Sequence, residues 1–372
     1  MASHFGPDSV LPGLQIFKSV TFMSSEDHLA LYLLLIQPKL RMFNVKDYFI
    51  DFRPLVRCIQ ERAPFLEEFI VADPHNDSLT LTELSILAGM ASMKRLSVSI
   101  RADPTADSGN EDNPVIILSA QCLPRLEALR ISNSHYIDED KSNVTALAII
   151  ELLRCICSSS FRQLQLDFKL CGNFDILHSL FAAIAAFSKS LRICRITIRS
   201  NSKTSSTTAP AIDEQISVGR VLSPLFSLWR SMQELDLSYA SLSITAEDFT
   251  SMLASWPYIR YLLLGCDNIR TTSTITVVAL GRAVSGCPHL QLLDLRIQDS
   301  EGDPFAESGM RVHNSMVGLS IRYSGVLVDP GCAKNFLRAM FPRAQIDFMS
   351  DEEGSARDLD LRVTQRVRIW DS

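Results

Sequence analysis

The chain has 372 residues, of which 47% are hydrophobic and 21% are charged, and its formal net charge is −6. This apolar content is enough for an extended core and excludes an intrinsically disordered chain. The negative charge disfavours nucleic acid and anionic membranes as partners.

The first part of the chain shows neither a membrane span nor a secretion signal. The richest apolar run, Leu29 to Ile36, falls far short of the roughly 18–20 residues that a spanning helix requires. Residues 1–12 lack the charged start and apolar stretch of a signal peptide. The nine cysteines are scattered and odd in number, so we expect reduced, mostly buried thiols and an intracellular protein.

One phrase, Pro-x-Leu-x-x-Leu-x-Leu with conservative variation, recurs along the chain. In chain order its copies cover residues 12–17, 38–45, 64–71, 93–98, 124–131, 161–166, 191–196, 232–237, 257–264, 288–295 and 316–321, and a degenerate copy begins at Pro342. Leu14, Leu40 and Leu66, the first anchors of three copies, are each 26 residues apart. Such a regular step indicates a structural repeat rather than a chance scatter of leucines.

A helix is predicted between most copies of the phrase. The predicted helices cover residues 26–37, 52–63, 79–90, 145–157, 174–187, 245–255 and 274–285. The segment Thr245-Ala246-Glu247-Asp248 has the spacing of a capping box at a helix start. One strand and one helix per about 26 residues predict an α/β leucine-rich-repeat solenoid. We expect about 11–12 units, with a curved parallel sheet and helices on the convex side.

The alternation within each strand predicts which residues face the concave side. Leu126, Leu129 and Ile131 should point into the core, and the residues between them should point out of the sheet. The predicted central row of outward positions is Lys18, Asn44, Ile70, Ser97, Arg130, Gln165, Arg195, Asp236, Leu263, Asp294 and Ser320. Nine of these eleven residues are polar or charged, which favours a solvent-exposed sheet face.

The domain prediction is a single solenoid over residues 1–348, followed by an acidic turn and a C-terminal capping strand over residues 349–372. Insertions at residues 102–114, 200–215 and 299–308 are rich in loop-forming residues and follow directly after strands. They therefore lie on one edge of the solenoid, as part of a binding side or as tolerated loop variation. Strict alternation from Leu359 to Ile369 predicts the capping strand.

The motifs of common enzyme classes are missing from the sequence. It contains no Walker or Rossmann phosphate loop, no His-Glu-x-x-His pair and no Gly-x-Ser-x-Gly elbow. Cys266 is the nearest candidate for a reactive thiol, and a structural role is favoured for it. We expect no enzyme activity, no catalytic residue, no metal site and no cofactor.

A mixed aromatic and charged patch on the concave face is the candidate protein-binding site. Its members are Arg195, Arg199, Glu234, Asp236, Tyr261, Leu263, Asp294 and Arg296. Such a composition is typical of an interface hot spot. Cross-strand charge pairing on a solvated face is the alternative interpretation. The predicted partner is an unidentified protein on the concave face or on the loop-bearing edge, without nucleic acid or membrane.

The phrases at residues 123–131, 256–262 and 287–295 resemble the repeats of fungal F-box proteins, and the resemblance extends over roughly residues 12–348. In that family an N-terminal F-box docks onto the adaptor of an SCF-type ubiquitin ligase, and the repeats capture the substrate. The resemblance therefore implies substrate recognition for ubiquitin ligation.

The N-terminus departs from the family pattern. An F-box opens with Leu-Pro and an acid, whereas Leu11-Pro12 leads straight into the first repeat strand. Two functions stay open: substrate recognition with an F-box in a longer product, or a free-standing leucine-rich-repeat binding protein with no ligase link. The ligase adaptor is an expected partner only in the first case.

Overall fold

The computed structural model describes residues 11, 13–20, 26–46, 52–71, 79–100, 122–133, 139–169, 174–199, 216–228, 231–237, 242–264, 272–298, 311–324 and 330–350. The strands are β1 (Ile16–Val20), β2 (Met42–Lys46), β3 (Glu68–Val71), β4 (Arg95–Ile100), β5 (Ala128–Asn133), β6 (Gln163–Lys169), β7 (Ile193–Arg199), β8 (Ile216–Ser217), β9 (Met232–Asp236), β10 (Leu242–Ile244), β11 (Tyr261–Leu263), β12 (Thr272–Ser273), β13 (Leu292–Gln298), β14 (Gly318–Ser324) and β15 (Gln345–Ser350). The helices are α1 (Glu26–Leu35), α2 (Phe52–Arg62), α3 (Leu81–Ala88), α4 (Glu139–Cys155), α5 (Phe174–Ala185), α6 (Val218–Leu222), α7 (Ala246–Ser255), α8 (Val277–Val284) and α9 (Pro330–Met340), with a 3-10 helix at Ser223–Leu228.

Twelve of the described strands form one parallel sheet in chain order, β1-β2-β3-β4-β5-β6-β7-β9-β11-β13-β14-β15. Helices alternate with these strands along the chain, and each helix packs against its neighbours in sequence. Adjacent strands are about 4.8 Å apart, whereas packed helices need about 8–10 Å. The sheet therefore lies on the inner, concave side of the solenoid. The predicted α/β repeat fold is confirmed.

The core lies between the sheet and the helices and is built from the predicted anchors. Leu126, Leu129 and Ile131 are each at most 1% exposed. In the next strand, Leu164 pairs with Leu129 and Leu166 pairs with Ile131, so equivalent side chains stack from unit to unit. Each unit therefore buries its apolar face against its neighbours.

Most helices begin within a few residues of the predicted start. The exception is α4, which begins at Glu139 rather than at residue 145. Thr145 is fully buried inside this helix and is not its cap. None of the helices in the described ranges is both long and apolar enough to cross a bilayer.

Several short elements were not predicted. The sequence pattern does not predict α6, the 3-10 helix or α9. It also does not predict a second sheet of described strands in the order β12-β10-β8. Strands of two or three residues are too short to show an alternation, and α6 has only five residues. Pro330 occupies the first position of α9, where its missing N–H costs no hydrogen bond.

The predicted domain end falls inside an element, because β15 continues to Ser350 rather than stopping at residue 348. The predicted insertions, the C-terminal capping strand and Cys266 lie outside the described residues. The domain division therefore stays a prediction.

Thr245 is the N-cap of α7, and its substitution tests how much capping stabilises a repeat helix. The backbone N–H of Asp248 donates to Thr245 Oγ1 over 3.0 Å, and the backbone N–H of Thr245 donates to Asp248 Oδ2 over 3.3 Å. We expect Thr245→Ala to lower the free energy of unfolding by about 1 kcal/mol, measured by urea denaturation. Thr250→Ala in the same helix is the control and should change stability less, since Thr250 lies in the helix interior. An equal loss in both variants would contradict the capping role.

Candidate functional site on the concave face

The hydrogen-bonded register identifies residues that share one row of the concave face. From β5 to β7 one row contains Arg130 and Arg195. The same row continues with Glu234 in β9 and Tyr261 in β11. The predicted row, which continued from Arg195 to Asp236, is therefore wrong by two residues beyond β7.

The pairing of β7 with β9 is irregular at the point where the row shifts. Cys194 pairs with Met232 and Arg195 pairs with Glu234, so Gln233 is the extra residue of β9. Because side chains alternate with a period of two, a shift of two residues keeps each leucine on the core side. The repeat phrase therefore looks the same on both sides of the irregularity, although its position in the sheet has changed.

The predicted site residues occupy very different environments. Arg195 and Tyr261 are half-buried, and the side chain of Arg199 lies outside the described part. The exposed fraction is 5% or less at Glu234, Asp236, Leu263, Asp294 and Arg296. The expectation of a solvent-exposed row is thus wrong at Asp236, Leu263 and Asp294, which belonged to that row. Five of the eight predicted residues are therefore buried and inaccessible to a binding partner in this conformation.

Some of the predicted residues do come together. Arg195 Nε lies 3.7 Å from Glu234 Oε2, and the long arginine side chain shields the buried carboxylate. Leu263 pairs with Asp236 on one side and with Asp294 on the other. The buried half of the patch is therefore mainly an internal polar arrangement, closer to the predicted alternative of cross-strand charge pairing than to a hot spot.

Glu234 is a carboxyl group of this patch with a perturbed pKa. Burial raises its pKa to about 7, Arg195 opposes the shift, and the negative charges of Asp236 and Asp167 add to it. Glu234 Oε1 has no hydrogen-bond partner within the described chain. The carboxyl group is therefore partly protonated near neutral pH, and it then compensates the charge of Arg195 only in part.

Tyr261, the predicted aromatic anchor, is held by contacts within the chain. Its hydroxyl donates to Gln291 Oε1 over 3.1 Å, and the guanidinium carbon of Arg260 lies 5.8 Å from the ring centroid. Gln291 directly precedes the following strand β13, and Arg260 directly precedes Tyr261. The tyrosine ring is thus positioned rigidly at the edge of the buried patch.

An open pocket of about 290 Å³ occupies the concave face from β3 to β7. It is lined by the apolar residues Ile70, Ala128 and Ile193 and by the arginines Arg95, Arg130 and Arg195, together with Ser97, Gln163 and Gln165. We call this surface the basic pocket. Of the eight residues in the predicted binding patch, Arg195 is among the described residues that line the basic pocket. Arg130 stood in the predicted concave row two units before Arg195, and this recurrence of arginine was the signal available in the sequence.

The three arginines of the basic pocket differ in their partners. Arg95 lies 3.4 Å from Glu68, and Arg195 makes the ion pair with Glu234 described above. Arg130 is exposed and forms no ion pair with any residue in the described ranges. Among the described residues that line the pocket none is acidic, so their charge is positive.

A ladder of charged residues runs along the edge where the strands begin. Glu67 accepts from Arg41 over 2.5 Å and from Lys94 over 2.7 Å. The hydrogen bond from Lys94, followed by that from Arg41, lowers the pKa of Glu67 below its ordinary value despite partial burial. In the first part of this edge, one carboxylate is therefore shared by two positive side chains.

The same ladder ends in two adjacent arginines. Backbone hydrogen bonds run from Arg162 N to Glu127 O and from Arg192 N to Arg162 O. Both side chains are exposed, and neither forms an ion pair among the described residues. We call Arg162 and Arg192 the arginine edge. It adjoins the basic pocket, since Gln163 and Ile193 follow directly in sequence.

The described residues give little support for a metal site or a reactive thiol. No group of three His, Cys, Asp or Glu side chains within it could hold a metal ion. Burial raises the pKa of both Cys122 and Cys287 to about 12, and it raises that of Cys194 as well. These three buried thiols are not nucleophiles at neutral pH.

Glu234 makes the stability of the chain depend on pH. Its folded pKa of about 7 exceeds the ordinary value of 4.5. The associated stability is therefore fully present below the ordinary value and is lost as pH rises through about 7. Each pKa unit corresponds to about 1.4 kcal/mol. We expect Glu234→Gln to gain about 2–3 kcal/mol over the wild type between roughly pH 4.5 and pH 8, measured by urea denaturation.

Glu151→Gln is the matched control, because it removes one exposed carboxylate from α4. Its stability relative to the wild type should change much less over the same pH interval. A Glu234→Gln difference that is flat with pH would show that Glu234 is charged in the folded state throughout.

No protein-family model matches the chain, and the curated proteins contain no significant match to its sequence.

Proposed function

We propose that the chain is a non-enzymatic, intracellular protein-binding scaffold that receives its partner on the concave face. The observation that carries this proposal is the basic pocket, an open depression that crosses five consecutive strands. Extended concave surfaces are the usual binding surfaces of solenoid proteins. The predicted patch of eight residues is narrowed to the region around Arg195, where the sheet face is open.

The composition of the pocket favours a protein partner over a small molecule. Ile70, Ala128 and Ile193 provide an apolar floor, and arginines and carboxamides surround it. An apolar centre with a polar rim and exposed arginine is typical of protein interfaces. The pocket is shallow and open across several strands, whereas small-molecule sites enclose most of their ligand.

A finer form of the proposal is substrate recognition within an SCF-type ubiquitin ligase. It is supported only by the resemblance of the repeat phrases to fungal F-box proteins. The alternative is a free-standing repeat protein with no ligase link. The concave face would capture the partner in the same way in both cases, so the two forms differ only in whether a ligase adaptor is bound.

Site-specific photo-crosslinking tests the scaffold proposal. A photoreactive amino acid at Gln165 lies in the basic pocket, and one at Arg338 lies exposed on α9 on the convex side. We expect protein adducts in extract of the source cells from the Gln165 position and not from the Arg338 position. Excess unlabelled chain should abolish them. Equal labelling from both positions, or adducts that are not competed, would contradict recognition by the concave face.

Co-purification with the ligase adaptor separates the two forms of the proposal. The tagged chain is expressed with the adaptor subunit, and the complex is assayed by gel filtration. A stable complex supports the ligase form. Separate elution, with Gln165 adducts still forming, leaves the free-standing scaffold as the function of this chain.

A further inference from the structure

We propose that the basic pocket and the arginine edge bind an acidic peptide segment of the partner protein. Carboxylates of the peptide pair with Arg130, Arg162 and Arg192, and an apolar side chain rests on Ala128 and Ile193. This inference rests on the proposed scaffold function and specifies the chemical class of the partner.

The first argument comes from the charge pattern of the strand-entry edge. Arg41, Glu67 and Lys94 alternate in sign and are joined by short ion pairs. Arg162 and Arg192 break the alternation, because two positive side chains lie on adjacent strands about 4.8 Å apart. Like charges directly opposite each other destabilise a sheet. An anionic ligand is the kind of partner that removes this repulsion.

The second argument is that the nearby acids do not neutralise this cluster. Glu127 lies beside Arg162 in the ladder, yet the described structure places no ion pair between them. Glu68 is paired with Arg95, and Glu234 is buried against Arg195. Asp167 lies one row further along β6 and already has a partner of its own. Three exposed guanidinium groups are left for a ligand, at Arg130, Arg162 and Arg192.

The spacing of these groups suits an extended peptide. Arg162 lies on the strand next to that of Arg130 and three residues before Gln165, which pairs with Arg130, so the two arginines are roughly 11 Å apart, whereas residues i and i+2 of an extended chain are roughly 7 Å apart. Flexible arginine side chains cover the difference and can bind a carboxylate with two parallel hydrogen bonds. Gln163 and Gln165 lie between the arginines and can bond to the peptide backbone.

A peptide fits these observations better than a nucleic acid does. The pocket floor is aliphatic, and no aromatic side chain among its lining residues could stack on a base. The chain as a whole has a net charge of −6, which repels a long phosphate backbone. A short acidic segment with one apolar residue needs only the local positive surface.

The test uses fluorescence anisotropy with a labelled peptide of repeating Glu-Leu-Asp-Gly and the full chain. We expect the peptide to bind the wild type, and binding to weaken at high salt because the contacts are exposed ion pairs. Arg162→Gln combined with Arg192→Gln should weaken binding about tenfold or more, and Arg130→Gln should weaken it further. The melting temperature of the double variant should be equal to or higher than that of the wild type, since a repulsion is removed.

The matched control combines Arg57→Gln on α2 with Arg338→Gln on α9, which removes two exposed positive charges from helices. It should bind the acidic peptide as the wild type does. The same peptide with lysine in place of each acid should not bind the wild type. Equal loss of affinity in the control and the edge variant would overturn the proposal, because binding would then follow net charge.

Two further outcomes also count against the inference. Tighter binding of a short single-stranded RNA than of the peptide, lost in the same double variant, would assign the site to nucleic acid. No binding of the acidic peptide to the wild type would exclude the partner class. The scaffold function would survive that result if adducts at Gln165 still formed, so the two failures are distinguishable.

Discussion

The stacking of apolar residues between parallel strands in register is the constraint on which the rest of this structure depends. No single unit can cover its own apolar face, so Leu129 is buried only because Leu164 and its equivalents continue the stack. This requirement determines which residues of each strand point inward. Core packing does not constrain the residues that point outward, so the side chains at these positions differ from strand to strand.

That freedom produces two unlike halves of the concave face. Around β9 to β13 the outward positions carry buried charges, and the environment of Glu234 raises its pKa to about 7. Buried charges need internal partners, so this half is organised around contacts within the chain. Around β3 to β7 the outward positions form the basic pocket, where Arg130 is exposed and has no acidic partner among the described residues. The pocket and the arginine edge are the features that a partner could use.

The fold was predictable because its signal is long and periodic. The repeat units are predicted from the sequence by a step of about 26 residues, each containing a proline-led strand phrase and a capped helix. The Thr245 cap and the buried anchors followed from local chemistry. The candidate site was harder to predict. A register shift of two residues between β7 and β9 leaves the alternation unchanged, so the sequence could not show that Glu234 rather than Asp236 lies beside Arg195.

Burial on the concave side was unpredictable for a related reason. Exposure of a charged residue such as Asp294 depends on what surrounds it in three dimensions, whereas the alternation specifies only the face of the sheet. Arg162 and Arg192 were overlooked because they are 30 residues apart in sequence and become neighbours only through the hydrogen bond between their backbones.

The two-residue register shift between β7 and β9 has a consequence for how such a chain can change during evolution. An even-numbered slip between two units preserves every inward leucine, whereas an odd-numbered slip would turn the core toward solvent. Units on either side of the shift can therefore be duplicated, lost or exchanged with a new register at little cost to the core. Each such event would combine the outward rows differently, so the solenoid could acquire a new binding surface without redesigning its interior.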